Sequence, residues 1–243
     1  MNILITGASS GIGAELVKRY SSPENQIFIV ARNLKKLEKL QNEFQNIEIF
    51  SRDLSDLEMA KKLGESLSKI DFNLIILNAG ISLGHDSKQF TSSEDFQKLF
   101  NINLLSNQFL LEPLIPNLQK RKSGKVVFIS SLASIITMPS SIAYSTSKRA
   151  MNSYAEGLRY FLKPYNIDVI TILPGFIETA LTDKNKFKMP FLMRLEDGVD
   201  RIEYAIEKRK SFYAFPKRFY LLIKLISFLP KFMKDFVIMQ NRK

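Results

Sequence analysis

Tyr144 and Lys148 stand four residues apart in the stretch Ala143-Tyr144-Ser145-Thr146-Ser147-Lys148. On a helix this spacing puts a phenol and an amine on one face, one turn above the other. An ammonium held near a phenol favours the phenolate and lowers a pKa that is about 10 in water. A phenol tuned in this way can give or take a proton near neutral pH. Tyr and Lys are common, so the pair taken alone reads better as coincidence. Its standing depends on what the neighbouring elements bring to it.

Those elements follow one pattern. Short apolar runs alternate with longer segments of helical period, the βαβ alternation of a parallel sheet covered on both faces. Strands are predicted at Asn2–Thr6, Gln26–Ala31, Ile47–Phe50, Phe72–Leu77, Lys125–Ser130, Ile167–Leu173 and Ser211–Phe215. Helices are predicted over 12–21, 34–45, 55–69, 93–118, 142–163 and 196–209. Crossovers of this kind are right-handed, which yields a doubly wound sheet of about seven strands. One domain accounts for the 243 residues, with no internal repeat and no linker before the C-terminal end.

Several strand ends carry residues suited to a ligand. The first strand runs into Thr6-Gly7-Ala8-Ser9-Ser10-Gly11-Ile12-Gly13 and then a helix. Glycines let a backbone approach phosphates, and a helix N-terminus offers free N–H groups. The spacing is Gly-x3-Gly-x-Gly, so the GxGxxG fingerprint is not met. The second strand ends in Ala31-Arg32, where an NAD-binding chain would carry an acid. Arginine there matches phosphate and favours NADP(H). Asp53, after the third strand, suits either a helix cap or the border of an adenine ring. The fourth strand ends in Asn78-Ala79-Gly80, small enough for a ligand to lie on the backbone. Asn101 and Asn103 fall within a helical pattern and invite a side-chain bond to a helix break. The fifth strand ends in Ser130-Ser131, and Tyr144 follows Ser131 by thirteen positions. The sixth ends in Pro174-Gly175-Phe176-Ile177-Glu178-Thr179. All of these fall on one edge of the sheet, the convergence that an active site requires.

Composition removes other chemistries. There is no cysteine, hence no disulfide, thiolate metal site or Cys nucleophile. The chain has one histidine, His85, in a loop-like Gly84-His85-Asp86 context. It reads as a solvated loop residue rather than a triad member, and no metal site is expected. The absence of cysteine fits a reducing cytosol. The chain opens directly in a strand-like run with no charged leader, so a cytoplasmic protein is expected.

Taken together, these residues resemble the short-chain dehydrogenase/reductase family, in its short single-domain branch. The resemblance covers residues 1–216. It rests on Thr6-x4-Gly11-Ile12-Gly13 with Gly7, Asp53-Leu54, Asn78-Ala79-Gly80, Asn103, Ser131, Tyr144-x3-Lys148 and Pro174-Gly175-x-Ile177-x-Thr179. It implies a Rossmann-type domain that reduces a carbonyl, or does the reverse, with NADP(H). By this resemblance Tyr144 is the general acid and Lys148 lowers its pKa and bonds the nicotinamide ribose. Ser131 hydrogen-bonds the substrate oxygen, and Asn103 holds a water in a relay to Lys148. The implied cofactor site comprises Gly7, Ser9, Ser10, Gly11, Ile12, Gly13, Arg32, Asp53, Leu54, Asn78, Ala79, Gly80, Pro174, Gly175, Ile177 and Thr179, with Tyr144 and Lys148. Two other readings compete: a non-catalytic NADP-binding regulator or scaffold, and a sugar-nucleotide epimerase. The intact Ser131, Tyr144 and Lys148 speak against the first. The lack of a substantial C-terminal domain speaks against the second. A homodimer or homotetramer is expected.

The net charge is +11, and residues 211–243 supply +6 of it. Residues 217–243 read as a basic amphipathic helical extension rather than an independent domain. Lys217, Lys224, Ser227, Lys231 and Lys234 recur at helical spacing on an otherwise apolar surface, bent at Pro230. Uninterrupted apolar runs there fall far short of the ~18 residues needed to span a bilayer. Such a segment suits an anionic membrane surface, for instance the inner face of the cell membrane. Packing on the chain's own core or on a partner subunit is the other reading. The aromatics lie within aliphatic runs, so nucleic acid is not expected. Between Ala180 and Leu195, basic residues (Lys184, Lys186, Lys188, Arg194) alternate with Phe187, Met189, Phe191, Leu192 and Met193. That composition suggests a cover for an apolar substrate with an anionic head.

Overall fold

The structure is a computed structural model that describes residues 1–83, 90–183 and 189–240. His85, Lys184, Lys186, Phe187 and Lys188 lie outside the described residues, and the expectations attached to them go no further.

Seven parallel strands form one sheet in the order β3-β2-β1-β4-β5-β6-β7. They are β1 (Asn2–Thr6), β2 (Gln26–Ala31), β3 (Ile47–Ser51), β4 (Phe72–Leu77), β5 (Lys125–Ile129), β6 (Asp168–Pro174) and β7 (Phe212–Phe215). Their side chains are buried on both faces, which is why they read as unbroken apolar runs. Ile3 and Ile5 point to one face and Leu4 to the other, following the two-residue period of a strand.

On the first face Ile3, Ile5, Ile27 and Ile29 meet Leu16 of α1 (Gly11–Tyr20), Leu37 of α2 (Leu34–Glu43) and Ile202 of α8 (Leu195–Glu207). Arg19 of α1 pairs with Asp200 of α8 at 2.9 Å and fixes that helix pair at its rim. On the second face Leu4, Phe28 and Phe128 meet Leu63 of α3 (Leu57–Leu67), Leu110 of α5 (Ser106–Leu111) and Met151 of α7 (Ile142–Leu162).

The segment expected as one helix over 93–118 is not continuous. It is α4 (Ser93–Phe100), a π-helical turn (Asn101–Leu105), α5 and then α6 (Ile115–Arg121). The breaks have local causes. The π turn holds Asn103, and Pro113 and Pro116 interrupt the hydrogen-bond ladder further on. After β7, α9 (Lys217–Phe228) and α10 (Lys231–Gln240) complete the described chain, divided at Pro230. Among the described residues no helix is long and apolar enough to cross a membrane.

Strand order reverses between β1 and β4. In open parallel sheets a ligand crevice lies outside the carboxyl ends of the strands at such a switch point.

Candidate active site

The glycine turn is built into that switch point. Gly7 and Gly11 have φ of +68° and +53°, a region that side chains with a Cβ rarely adopt. A Cβ on Gly7 would stand 2.8 Å from Ala79 Cα, and one on Gly13 would meet the Gly7 carbonyl oxygen. The turn thus lies flush against the end of β4. Thr6 and Asn78 bolt the two together. The Thr6 hydroxyl accepts from the N–H groups of Asn78 and Ala79, each at 3.0 Å. The Asn78 amide donates to the carbonyls of Thr6 (3.1 Å) and Gly7 (3.3 Å). No side chain caps α1 at Ser10, and its first turn has no acidic residue. Its leading N–H groups and positive dipole end are therefore open to an anion, as a pyrophosphate cradle requires.

From this turn a cleft of about 260 Å³ extends in both directions along the strand ends. Of the residues expected at the cofactor site, all but Gly13 line it. Gly13 lies beneath the turn, where a Cβ would come 2.7 Å from Asn78 Nδ2. Of the four residues expected to be catalytic, Ser131, Tyr144 and Lys148 line the cleft and Asn103 does not.

At one end the wall is Val30, Ala31, Arg32, Arg52, Asp53 and Leu54. Arg52 was missed in the sequence, where only the end of the second strand was searched for a cation. The register supplies the signal, because Ala31 pairs with Ser51, which brings Arg52 level with Arg32. Asp53 is not the cap of α3. That role belongs to Asp56, whose carboxylate accepts from Met59 N at 3.1 Å. The Asp53 carboxylate instead accepts from the N–H and hydroxyl of Ser55, both at 2.9 Å. Burial pushes its pKa up, but the two Ser55 bonds, with Arg32 and Lys98 nearby, bring it below the usual carboxylate value.

At the other end Ser131, Tyr144 and Lys148 meet. Ser131 follows β5 and caps a short 3₁₀ turn, accepting from Ala133 N at 3.1 Å. Its hydroxyl also lies near enough to the Tyr144 phenol to favour the phenolate. Lys148 is 3% exposed. Its ammonium donates to the Ile129 carbonyl at 2.8 Å, at the very end of β5. Burial brings its pKa down to about 7. The phenol does not behave as the Tyr–Lys spacing led one to expect. Burial pushes the Tyr144 pKa up, and only Ser131 works the other way. The reason is physical: in a site this dry the lysine itself loses charge near neutrality and lends little to its neighbour.

Asn103 is fully buried on the π turn. Its Oδ1 accepts from Ile81 N (2.8 Å), and its Nδ2 donates to Ile81 O (3.1 Å) and to Ser147 Oγ (3.1 Å). Ser147 in turn donates to the Tyr144 carbonyl at 2.8 Å. The side chain thus clamps the segment after β4 to the first turns of α7. A Cβ on Gly80 would lie 3.4 Å from both Asn103 Oδ1 and Lys148 Nζ. Gly80 thus lies directly against both groups.

The loop after β6 closes the cleft. Ile177 bridges to Met193, and Glu178 N donates to Met193 O at 2.9 Å. Thr182, also unremarked in the sequence, knots this loop by donating to Ile177 O (2.6 Å) and accepting from Thr179 N (3.0 Å). A Cβ on Gly11 would stand 3.0 Å from the Thr179 methyl, so the loop sits directly over the glycine turn.

A doubly wound sheet with this glycine turn and this cleft defines a Rossmann-type scaffold. The family model described as short chain dehydrogenase matches residues 1–189. The chain belongs to that family and is an oxidoreductase of it. Among its relatives is an "Uncharacterized oxidoreductase" of Myxococcus xanthus, 29% identical over 235 residues, covering 93% of this chain and 92% of that protein. A "Fatty acyl-CoA reductase" of Acinetobacter baylyi is 30% identical over 218 residues, covering 85% of this chain and 72% of its own. The solved "Short-chain dehydrogenase from Sphingobium yanoikuyae in complex with NADPH" superposes with a TM-score of 0.81 at 23% identity, covering 95% of this chain and 96% of that one. A "4-hydroxyisoleucine dehydrogenase complexed with NADH" does so at 0.78 and 25%, covering 88% of this chain and 95% of that one. The family's solved members thus include complexes with either dinucleotide.

Proposed function

We propose that the protein is an NADP(H)-dependent oxidoreductase that interconverts a ketone or aldehyde and its alcohol. The observation that carries this reading is the meeting of Ser131, Tyr144 and Lys148 on the wall of a cleft whose middle is the glycine turn. Gly7, Ser9, Ser10, Gly11 and Ile12 would hold the pyrophosphate, with Gly13 allowing the close packing beneath them. Arg32 and Arg52 would take the 2′-phosphate. No acid occupies Ala31, Arg32 or Asn33 to select a free ribose hydroxyl. The bound dinucleotide would supply or accept a hydride at the substrate carbon.

The chain's own residues would manage the proton and the oxygen. Tyr144 gives its phenolic proton to the carbonyl oxygen during reduction and takes it back during oxidation. A phenol held protonated by burial is set up as the donor. Ser131, beside the phenol, bonds the substrate oxygen, steadying negative charge as it develops. Lys148, poised near pH 7 and anchored on Ile129 O, returns a proton to the Tyr144 region after each reduction. Asn103 positions the Tyr144 turn through Ser147.

Three phenylalanines cluster beside Gly175, which lines the cleft. The Phe176 and Phe219 rings stack at 5.7 Å, and Phe191 lies 5.6 Å from Phe219. We read the substrate as apolar, of acyl or lipid ketone type, and the relative printed as a fatty acyl-CoA reductase supports that reading. The test is loss of NADPH absorbance against a panel of ketones and aldehydes graded by chain length. Turnover rising with chain length is expected. Tight NADPH binding without turnover of any panel member would instead make the protein a cofactor-binding regulator.

A further inference from the structure

Neither α9 nor α10 has a buried residue. The inner side of α9 is accounted for, since Phe219, Tyr220 and Ile223 pack on Leu132, Leu173 and Ala214. The outer side is not. Leu221, Leu225 and Phe228 follow one another at helical spacing on α9, and Phe232, Phe236 and Met239 do so on α10. Phe228 and Phe232, on either side of the bend at Pro230, are 75% and 74% exposed. An apolar stripe of this size on a water-facing surface marks a place where something binds.

The charges beside it say what. Residues 217–240 hold five basic side chains, Lys217, Arg218, Lys224, Lys231 and Lys234, against the single acid Asp235. The Lys224 ammonium lies 5.6 Å from the Tyr220 ring and 6.0 Å from that of Phe228, at the margin of the stripe. A second copy docked by two-fold symmetry would set this basic face against an identical basic face. A surface of anionic phosphates over hydrocarbon complements both the cations and the stripe. Crossing the bilayer is excluded for α9 and α10, which have 12 and 10 residues.

We propose that α9 and α10 form a docking face for the surface of an anionic lipid bilayer. The apolar stripe enters the boundary between headgroups and acyl chains, and the lysines meet the phosphates. The side of α9 opposite the stripe borders the cleft wall. Phe219 of α9 stacks on Phe176 and Phe191, and a Cβ on Gly175, in the cleft wall, would lie 3.3 Å from the Phe219 ring.

Flotation of the full chain with phosphatidylglycerol-rich vesicles, and separately with pure phosphatidylcholine vesicles, tests this. The protein should float with the first and not the second, and added salt should reduce flotation because exposed charges are screened. Leu225→Asp with Phe228→Asp should abolish flotation with thermal unfolding unchanged, since both side chains face water. Lys224→Gln, Lys231→Gln and Lys234→Gln together should lower partitioning roughly 100-fold, about fivefold for each lysine. A chain that stays unbound with anionic vesicles overturns the proposal. So does equal flotation on both vesicle types at all salt concentrations. So does a dimer, seen by sedimentation, that forms in place of lipid binding and is dissociated by the Leu225→Asp and Phe228→Asp pair.

Discussion

Lys148 is the residue whose environment most changes its chemistry. Its pKa falls from 10.5 to about 7 because the ammonium is buried. The folded protein therefore binds fewer protons than the unfolded chain between about pH 7 and pH 10.5, so stability rises with pH across that window. From pH 7.5 to 9.5 the gain from this one group is about 2 kcal/mol. Urea unfolding of the wild type against Lys148→Met should show it, with the variant nearly flat over the same range. A parallel slope in both proteins would mean that Lys148 titrates normally. Tyr144 responds in the opposite sense: burial raises its pKa above the unfolded value of 10, so it works against the Lys148 gain only where the unfolded phenol begins to lose its proton, at the upper end of that window. Tyr144→Phe should lower turnover by at least ~100-fold, the scale of a lost general acid. NADPH binding, measured by fluorescence, should be spared. Equal damage to both would assign Tyr144 to cofactor binding instead.

Arg32 and Arg52 form a second pair at this scale. Arg32→Asp or Arg52→Gln should raise the NADPH dissociation constant by roughly 10- to 100-fold, the worth of one charge-assisted bond, and leave that of NADH nearly unchanged. An unaltered ratio of the two constants would remove the phosphate role from that arginine. Arg32 was legible in the sequence because it ends a strand next to the glycine turn. Arg52 was not, because the relevance of a residue after β3 depends on the β2–β3 register, which only pairing reveals.

Elements were legible where one periodicity ran unopposed. The seven strands came out of the sequence nearly whole, because parallel strands buried on both faces are short, apolar and rich in β-branched residues. The segment over 93–118 did not, because its apolar period continues through the π turn while the ladder beneath it changes. Two asparagines, Asn103 buried and Asn101 half-buried, hint at that change, but their partners lie far off in the chain: Ile81 and Ser147 for Asn103, and Ser55 for Asn101. Thr6 was read as part of the glycine motif and proves to be the joint between two elements. Thr6→Val removes the hydroxyl that accepts from Asn78 N and Ala79 N and leaves two N–H groups without their acceptor. The expected loss is about 2–4 kcal/mol by urea unfolding, as for buried donors left unmet. A loss below about 0.5 kcal/mol, the size of an ordinary surface change, would show that the turn holds itself without β4.

At the scale of the molecule, the tail is where sequence and structure divide the labour. The sequence gives a basic, apolar extension and leaves its packing open. The structure splits it: α9 rests on the core through Phe219, Tyr220 and Ile223, and α10 has no buried residue, with Lys234, Val237 and Ile238 half-buried. Two truncations separate these roles. A chain ending at Leu229 loses only α10, and its melting temperature should stay within about 2 °C of the full chain, since surface changes rarely exceed ~0.5 kcal/mol. A chain ending at Pro216 also uncovers Leu132, Leu173 and Ala214, which are at most 7% exposed in the full chain. Re-exposing two leucines costs about 3–6 kcal/mol, which for a protein of this length lowers the melting temperature by roughly 6–24 °C. The same uncovering strips Phe219 from the loop that carries Gly175 and Phe176, so any turnover retained by the shorter chain should fall further than its stability at the assay temperature accounts for. Equal melting of the two truncations would show that α9 is as detached from the core as α10, and the coupling between tail and cleft would fall with it.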